Sequence, residues 1–253
     1  MNKNAVRNLA LALATAILSA GSLLEATPST VYWTPCTTYF QPFMKGHIGY
    51  DTYVRDINML PVDYGFTVGV LPFKEIQAEI GYDALLPSGL GISTQTEHYV
   101  NAKIGWGENA LLPVGFAAGI FNVGFVKDVT DYNVCYAVIQ KTFDNIGTFA
   151  AGGYTGNKKL LVDEGGNPDN NGFMLAYTSP QFSKFIIAVD YFSGKNTLSA
   201  VGGGVYIYFA DNVTLLIGPV FPLAKTFVGG SNMAWTVQLD IDFDLMPAQT
   251  ASK

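Results

Sequence analysis

The stretch WTVQLDIDFD, residues 235–244, alternates apolar and polar side chains without a break. Its apolar members are Trp235, Val237, Leu239, Ile241 and Phe243, and three of the residues that alternate with them are aspartates. An alternation of period two predicts a β-strand with one apolar and one acidic face. In a soluble protein the apolar face would meet a core, whereas in a membrane barrel it meets lipid while the acidic face lines a lumen. The strand alone leaves both arrangements open.

Charged residues are sparse in the chain as a whole. Of its 253 residues only 13% are charged, whereas 49% are hydrophobic and 27 are glycines, which is unusual for a soluble domain of this size. In the body of the chain no apolar run approaches the roughly 20 residues that a membrane-spanning helix needs. A membrane protein without such helices must be a closed β-barrel, because lipid offers its backbone no hydrogen-bond partners.

Residues 1–26, MNKNAVRNLALALATAILSAGSLLEA, contain the one long apolar run. A basic start is followed by an apolar stretch from Leu9 to Leu18 and by small residues at 19–21. This order predicts a secretory signal peptide cleaved near Gly21 or Ala26, with a buried N-terminal helix as the alternative. Cleavage after Ala26 leaves 12 basic and 19 acidic residues, a formal charge of −7. An exported acidic protein is not expected to bind nucleic acid, which requires a basic face.

From residue 47 the sequence divides into twelve segments of about ten residues, the length with which a tilted strand crosses a bilayer. The segments are residues 47–55, 64–71, 76–85, 98–106, 113–125, 132–143, 146–154, 172–179, 184–192, 197–209, 213–221 and 235–244. Links after even-numbered segments are short, and links after odd-numbered segments are usually longer. Outer-membrane barrels have short turns on one rim and long loops on the other. A Greek-key sandwich would send long connections to both ends.

Over nearly its whole mature length the chain therefore resembles the porin-like bacterial outer-membrane β-barrel class, and no motif assigns it to a subfamily. The resemblance implies an all-β fold, a transmembrane antiparallel up-and-down β-barrel of about 12 strands. The barrel is expected over residues 47–244, followed by a C-terminal tail, residues 245–253. The implied location is the outer membrane of a Gram-negative bacterium, and the implied activity is the passage of small solutes.

Phe243 resembles the terminal aromatic residue by which the barrel-insertion machinery recognises its clients, although ten residues follow it here. That machinery and outer-membrane lipid are the expected partners, besides small solutes. The sequence gives no oligomeric state.

The polar phase of the strands predicts which charged side chains point into the lumen. These lumen-lining residues are Asp51, Arg55, Glu79, Asp83, Lys103, Lys141, Lys184, Asp190, Asp240 and Asp242. A soluble core could not hold ten charges, whereas a barrel interior can where water or a partner satisfies them. Several bulky residues, Ile139 and Phe149 among them, are also assigned to the lumen face, which predicts a narrow lumen.

Residues 27–46, TPSTVYWTPCTTYFQPFMKG, are here called the N-terminal segment. Three prolines at this density forbid an internal strand or a long helix. Two arrangements stay open: a plug at the periplasmic mouth or in the lumen, and an extended leader on the rim. The plug candidates are the five aromatic residues Tyr32, Trp33, Tyr39, Phe40 and Phe43. Cys36 could pair with Cys135 in an oxidising compartment, but their predicted levels in the barrel make the reach long.

Two functions stay open from the sequence. A twelve-strand barrel is intermediate between filled eight-strand barrels and open sixteen-strand porins, so the first expectation is a narrow channel or facilitator for small solutes. The acidic excess favours cations. The alternative is a structural or adhesive barrel with a filled interior, whose loops bind partners. An outer-membrane enzyme ranks last, because neither His47 nor His98 lies in a catalytic motif. We predict no catalytic residue, no metal site and no cofactor.

Overall fold

The computed structural model describes residues 30–55, 60–86, 96–224 and 232–246. The predicted signal peptide, residues 1–26, and most of the C-terminal tail lie outside these residues. Among the described residues no helix is long and apolar enough to cross a membrane.

Twelve β-strands account for most of the described chain, and each begins and ends within three residues of a predicted segment. They are β1 (Lys45–Val54), β2 (Val62–Gly69), β3 (Gln77–Leu86), β4 (Glu97–Trp106), β5 (Gly115–Gly124), β6 (Val134–Phe143), β7 (Gly147–Thr155), β8 (Asn171–Thr178), β9 (Phe185–Phe192), β10 (Ala200–Ala210), β11 (Val213–Pro222) and β12 (Ala234–Asp244).

The strands close into one barrel in which every strand pairs antiparallel with its neighbours in sequence. β1 and β12 complete the ring, with Ile48 opposite Ile241 and Tyr50 opposite Leu239. Closure leaves no unpaired sheet edge, which is the condition for a sheet to cross lipid. The predicted transmembrane antiparallel up-and-down barrel is confirmed.

The stretch WTVQLDIDFD forms β12 and shows which face is which. Thr236, Gln238 and Asp240 are buried, whereas Trp235 and Ile241 are exposed on the outside of the barrel. Exposed apolar side chains recur on the outer face of the other strands. Aromatic residues pair there near the strand ends, as between the rings of Trp106 and Phe116, 5.0 Å apart. The outer surface therefore suits lipid, and the acidic face lines the interior.

The two rims differ in their connections. The short-turn rim carries residues 70–76, 107–114, 144–146, 179–184 and 211–212. Of the described residues, the long-loop rim carries 55, 60–61, 96, 125–133, 156–170, 193–199, 223–224 and 232–233. β1 starts and β12 ends at the short-turn rim. The N-terminal segment therefore joins the barrel wall at that rim.

The predicted faces of β6 and β7 are wrong. Lys141, Ile139 and Cys135 point outward, as does Phe149 of β7, whereas Gln140 is buried in the lumen. These strands carry apolar residues on both faces, so their alternation does not distinguish lipid from lumen. The Lys141 ammonium reaches the polar rim, where it donates to the Pro113 carbonyl at 2.7 Å and pairs with Glu108 at 3.1 Å.

Candidate functional site in the barrel lumen

The described part of the N-terminal segment that precedes β1, residues 30–44, runs inside the barrel. The indole N–H of Trp33 donates to the carbonyl oxygen of Leu198, in the long-loop rim, at 2.8 Å. At the other end the Met44 N–H donates to the Gly69 carbonyl, next to the short-turn rim, at 2.9 Å. Most side chains between these two points are buried. The segment therefore spans the lumen from one rim towards the other.

Asp190 of β9 holds the segment through its backbone. One carboxylate oxygen, Oδ2, accepts hydrogen bonds from the N–H groups of Tyr32, Trp33 and Thr34 at 3.1, 2.8 and 2.7 Å. Only 1% of Asp190 is exposed. Hydrogen bonds with an ionised partner are about twice as strong as neutral ones. These hydrogen bonds therefore fix the end of the segment near the long-loop rim to the barrel wall.

Two glutamine side chains of the wall bind the segment as well. Gln140 accepts hydrogen bonds at Oε1 from the Thr37 hydroxyl, at 3.1 Å, and from the Thr38 N–H, at 3.0 Å. Gln238 donates from Nε2 to the Tyr32 carbonyl at 3.1 Å. Because an isolated buried peptide group loses its hydrogen bonds to water, these side chains replace the solvent that the segment gives up.

Nearer the short-turn rim the segment meets a buried ion pair. Lys103 Nζ lies 3.1 Å from Glu79 Oε1, and both side chains are almost completely buried. The other oxygen of Glu79 accepts the Gln41 N–H at 2.7 Å, and Gln41 Nε2 donates to Asp242 at 3.1 Å. The Lys103 ammonium also lies 5.0 Å from the centroid of the Phe40 ring, within the range of a cation–π contact.

Glycines leave the inner surface of the wall without side chains where the segment contacts it. A Cβ added at Gly202 or Gly204 would lie 2.4 or 2.6 Å from carbons of the Tyr32 ring, and one at Gly218 would lie 2.7 Å from its hydroxyl oxygen. Such distances are far below van der Waals contact. Gly202 and Gly204, the two inward-facing members of the Gly triplet at 202–204, thus make room for the Tyr32 ring.

The structure places eight of the ten predicted lumen-lining residues at the interior: Asp51, Arg55, Glu79, Asp83, Lys103, Asp190, Asp240 and Asp242. Two lie elsewhere. Lys141 is on the outer face, as described above. Lys184 precedes β9 and is exposed in the short-turn rim, because the strand starts one residue later than the predicted segment.

Of the plug candidates, Tyr32 and Phe40 are buried and Trp33 is half-buried. The Trp33 ring packs edge-on against Tyr53 of β1, with centroids 5.5 Å apart. Tyr39 and Phe43 are exposed. Cys36 is buried inside the lumen and Cys135 is exposed on the outer face, and both are free thiols. The barrel wall therefore separates the two cysteines.

His47 is a lumen residue whose partners the sequence did not reveal. Its Nδ1 lies 2.8 Å from Asp242 Oδ1, and its Nε2 lies 3.3 Å from Asp240 Oδ1. Alternation along β1 puts His47 on the same face as Gly49 and Asp51, and the antiparallel register then brings it to the two aspartates. His98 instead lies on the outer face, 2.6 Å from the Tyr82 hydroxyl.

A cavity of about 550 Å³ remains between the segment and the far side of the barrel. One side is formed by the carboxylates of Asp51, Asp63, Asp83 and Glu97, from β1–β4, here called the acidic wall. Among the described residues no three His, Cys, Asp or Glu side chains are placed to hold a metal ion.

Sequence reasoning missed Asp63, Glu97 and Gln140 as interior residues, whereas Gln238 lies on the polar face of β12 that was assigned to the lumen. Asp63 continues the alternation of Gly65 and Thr67, but the predicted segment began one residue after it. Glu97 likewise precedes its predicted segment by one residue. Uncharged glutamines carry no comparable signal, because they are common on any wet face.

A closed barrel with an apolar outer face and a polar lumen that holds its own N-terminal segment defines a porin-like transmembrane β-barrel. Comparisons with protein-family models and with curated proteins give no match.

Solved structures do share the fold. A NanC porin superposes with a TM-score of 0.54 at 10% identity, covering 79% of this chain and 99% of that chain. The COG4313 outer membrane channel from Pseudomonas putida F1 gives 0.51 at 10% identity, with coverages of 87% and 100%. A KdgM porin gives 0.51 at 6% identity, with coverages of 78% and 98%. At these identities the likeness shows the fold.

Proposed function

We propose that the protein is a narrow channel or facilitator for small solutes in the outer membrane of a Gram-negative bacterium. The observation that carries the proposal is the cavity of about 550 Å³ that stays open beside the N-terminal segment. The apolar outer face supports the membrane location. The names of the fold's solved relatives, a NanC porin, an outer membrane channel and a KdgM porin, support transport.

We further propose that the N-terminal segment narrows the path as a plug. Tyr32, Trp33 and Phe40 supply its bulk inside the lumen, and Asp190, Gln140 and Glu79 bind its backbone. The exposed Tyr39 and Phe43 are not part of this obstruction. A plug bound by hydrogen bonds rather than by covalent links can leave the lumen and return.

Conductance in planar bilayers tests both proposals. The mature chain should give small current steps, and a variant lacking residues 27–41 should give larger ones, because its lumen loses a buried segment. A variant lacking residues 247–253 is the control, since it also shortens the chain but keeps the segment. Equal conductance in all three proteins would contradict the plug.

A structural or adhesive barrel is the second candidate. The observation in its favour is the continuous set of hydrogen bonds by which the segment occupies one side of the lumen. Absence of any current from both the mature chain and the variant lacking residues 27–41 would favour this candidate over the channel.

We propose no enzymatic activity. A histidine that acts as general base needs one ring nitrogen directed at the reacting group. Each ring nitrogen of His47 lies beside a carboxylate instead, at 2.8 and 3.3 Å. His98 is on the outer face, where its Nδ1 lies beside a tyrosine hydroxyl.

A further inference from the structure

The lumen cavity has carboxylates on one side and aromatic rings around it. Besides the acidic wall, it is lined by aromatic side chains of the segment, the strands and the long-loop rim: Trp33, Tyr53, Tyr99, Phe121, Tyr132 and Phe192. Pockets that bind small molecules commonly combine apolar walls with a few polar groups that orient the ligand.

The strand register brings three carboxylates of the acidic wall together. Asp51 of β1 is directly opposite Asp63 of β2. Asp83 of β3 is opposite Gly65, two residues from Asp63 along β2. Directly opposed like charges destabilise a sheet. Such a cluster is relieved either by protonation of a carboxyl group or by a cation bound beside it.

The basic residues nearby are largely engaged elsewhere. Lys103 is paired with Glu79, and His47 lies between Asp240 and Asp242. Among the described residues none of Asp51, Asp63, Asp83 and Glu97 forms an ion pair. With Arg55 counted, the cavity is lined by three basic side chains, His47, Arg55 and Lys103, and by six carboxylates, Asp51, Asp63, Glu79, Asp83, Glu97 and Asp240.

Two carboxylate oxygens of the wall are also unsatisfied. Oδ1 of Asp51 and Oδ1 of Asp63 are buried atoms with no hydrogen-bond donor. Buried polar atoms without a partner are rare in folded proteins, and they point to a missing water, ion or ligand. Both residues line the cavity, and rotation of a carboxyl group about its terminal torsion turns the buried oxygen towards a donor that enters it.

We propose that this cavity binds an organic cation, a small molecule that joins an ammonium or guanidinium group to an apolar body. The cationic group donates to Asp51 and Asp63, and the apolar body packs against rings such as Tyr99 and Phe121. Aromatic faces add a cation–π attraction. A bare metal ion fits less well, because the described carboxylates do not converge as metal ligands. The inference rests on the proposed function, since such a ligand is the class of solute that would pass through the lumen.

Binding to the full mature chain in detergent tests the inference without requiring a pore. The probe is phenethylammonium, titrated calorimetrically at pH 8 and low salt. Its neutral isostere is 2-phenylethanol, and its anionic counterpart is phenylacetate. We expect phenethylammonium to bind at least about tenfold more tightly than 2-phenylethanol, with an affinity that falls as salt screens the carboxylates. Equal binding of the ammonium and the alcohol would overturn the proposal.

Two variants locate the site. The double substitution Asp51→Asn and Asp63→Asn keeps shape and removes both charges, so the affinity for phenethylammonium should fall at least about tenfold. Asp163→Asn removes the charge of a half-buried loop residue that does not line the cavity and should leave binding unchanged. Unchanged binding in the double variant would overturn the proposal, and if that variant does not fold, the comparison of ammonium with alcohol on the parent chain still decides. Current without selective ammonium binding would refute this inference alone, whereas binding without current would refute the channel alone.

Discussion

Replacing Asp190 by alanine should release the N-terminal segment from the wall. The substitution leaves the N–H groups of Tyr32, Trp33 and Thr34 without their common acceptor. Each unsatisfied buried N–H costs about 1–3 kcal/mol. In the released segment all three groups bind water. Taking about 1 kcal/mol for each, the bound state loses about 3 kcal/mol, which lowers the ratio of bound to released segment about a hundredfold.

Cys36 reports this release directly. Its side chain is buried in the lumen, 0% exposed, when the segment is bound. In a Cys135→Ala background it is the only cysteine, so a water-soluble maleimide modifies the protein only when the segment leaves the wall. If rebinding is faster than modification, the rate of labelling follows the released fraction. We therefore expect Asp190→Ala to raise the labelling rate about a hundredfold.

Asp163→Ala is the matched control. Asp163 also accepts backbone N–H groups, from Gly165 at 2.9 Å and from Asn167 at 2.8 Å, but these hydrogen bonds stay within its own loop. It should leave the labelling of Cys36 unchanged. A labelling rate in Asp190→Ala equal to that of the parent, in a protein that retains its β-sheet circular dichroism, would refute the role of Asp190.

Three further outcomes follow from the same contacts. Gly202→Ala places a Cβ 2.4 Å from the Tyr32 ring and should raise both the rate of Cys36 labelling and the conductance. Gly203→Ala is the control and should change neither, because its nearest contact is 3.2 Å away on the outer face. Lys103→Met removes the ammonium group paired with the buried Glu79 and should lower the free energy of unfolding by about 3–5 kcal/mol in urea titrations. Lys159→Met removes an exposed ion pair with Asp128 and should have no measurable effect on that free energy. Hydrogen bonds from the Asn167 and Gly165 backbone hold the pKa of Asp163 below its ordinary value. The Asn167 amide resonance should therefore keep its hydrogen-bonded position as the pH falls past the ordinary aspartate pKa, and lose it only at lower pH. A titration midpoint at or above the ordinary value would contradict these hydrogen bonds.

Strand number and rim assignment could be predicted because both depend on local patterns. Each strand needs one face for lipid, and β12 shows this with five alternating apolar residues. The prediction of which face points outward was wrong for β6. Its inward residues Val134, Tyr136 and Val138 are as apolar as its outward residues. Their apolar character is explained by the segment against which the inner wall packs, and no periodicity in β6 itself records that neighbour.

The candidate site was predictable in part. Proline and aromatic content indicated that residues 27–46 form no internal strand, which fails only for residues 45 and 46 at the start of β1. The choice between lumen and rim depended on partners far along the chain. Asp190 is 158 residues from Tyr32. Likewise, the pairing of His47 with Asp240 and Asp242 arises only when β1 meets β12, so it is a product of barrel closure rather than of local sequence.

The position of the N-terminal segment also constrains the order of assembly. The segment directly precedes β1, yet besides β3 and β6 it binds β9 and β12, which are synthesised late. In addition, β1 can pair with β12 only when both ends of the chain are present. If the first and last strands joined before the segment had bound, residues 30–44 would have to thread back through the short-turn mouth. Insertion into the membrane is therefore simplest when the segment is already folded against β9–β12 as the seam closes.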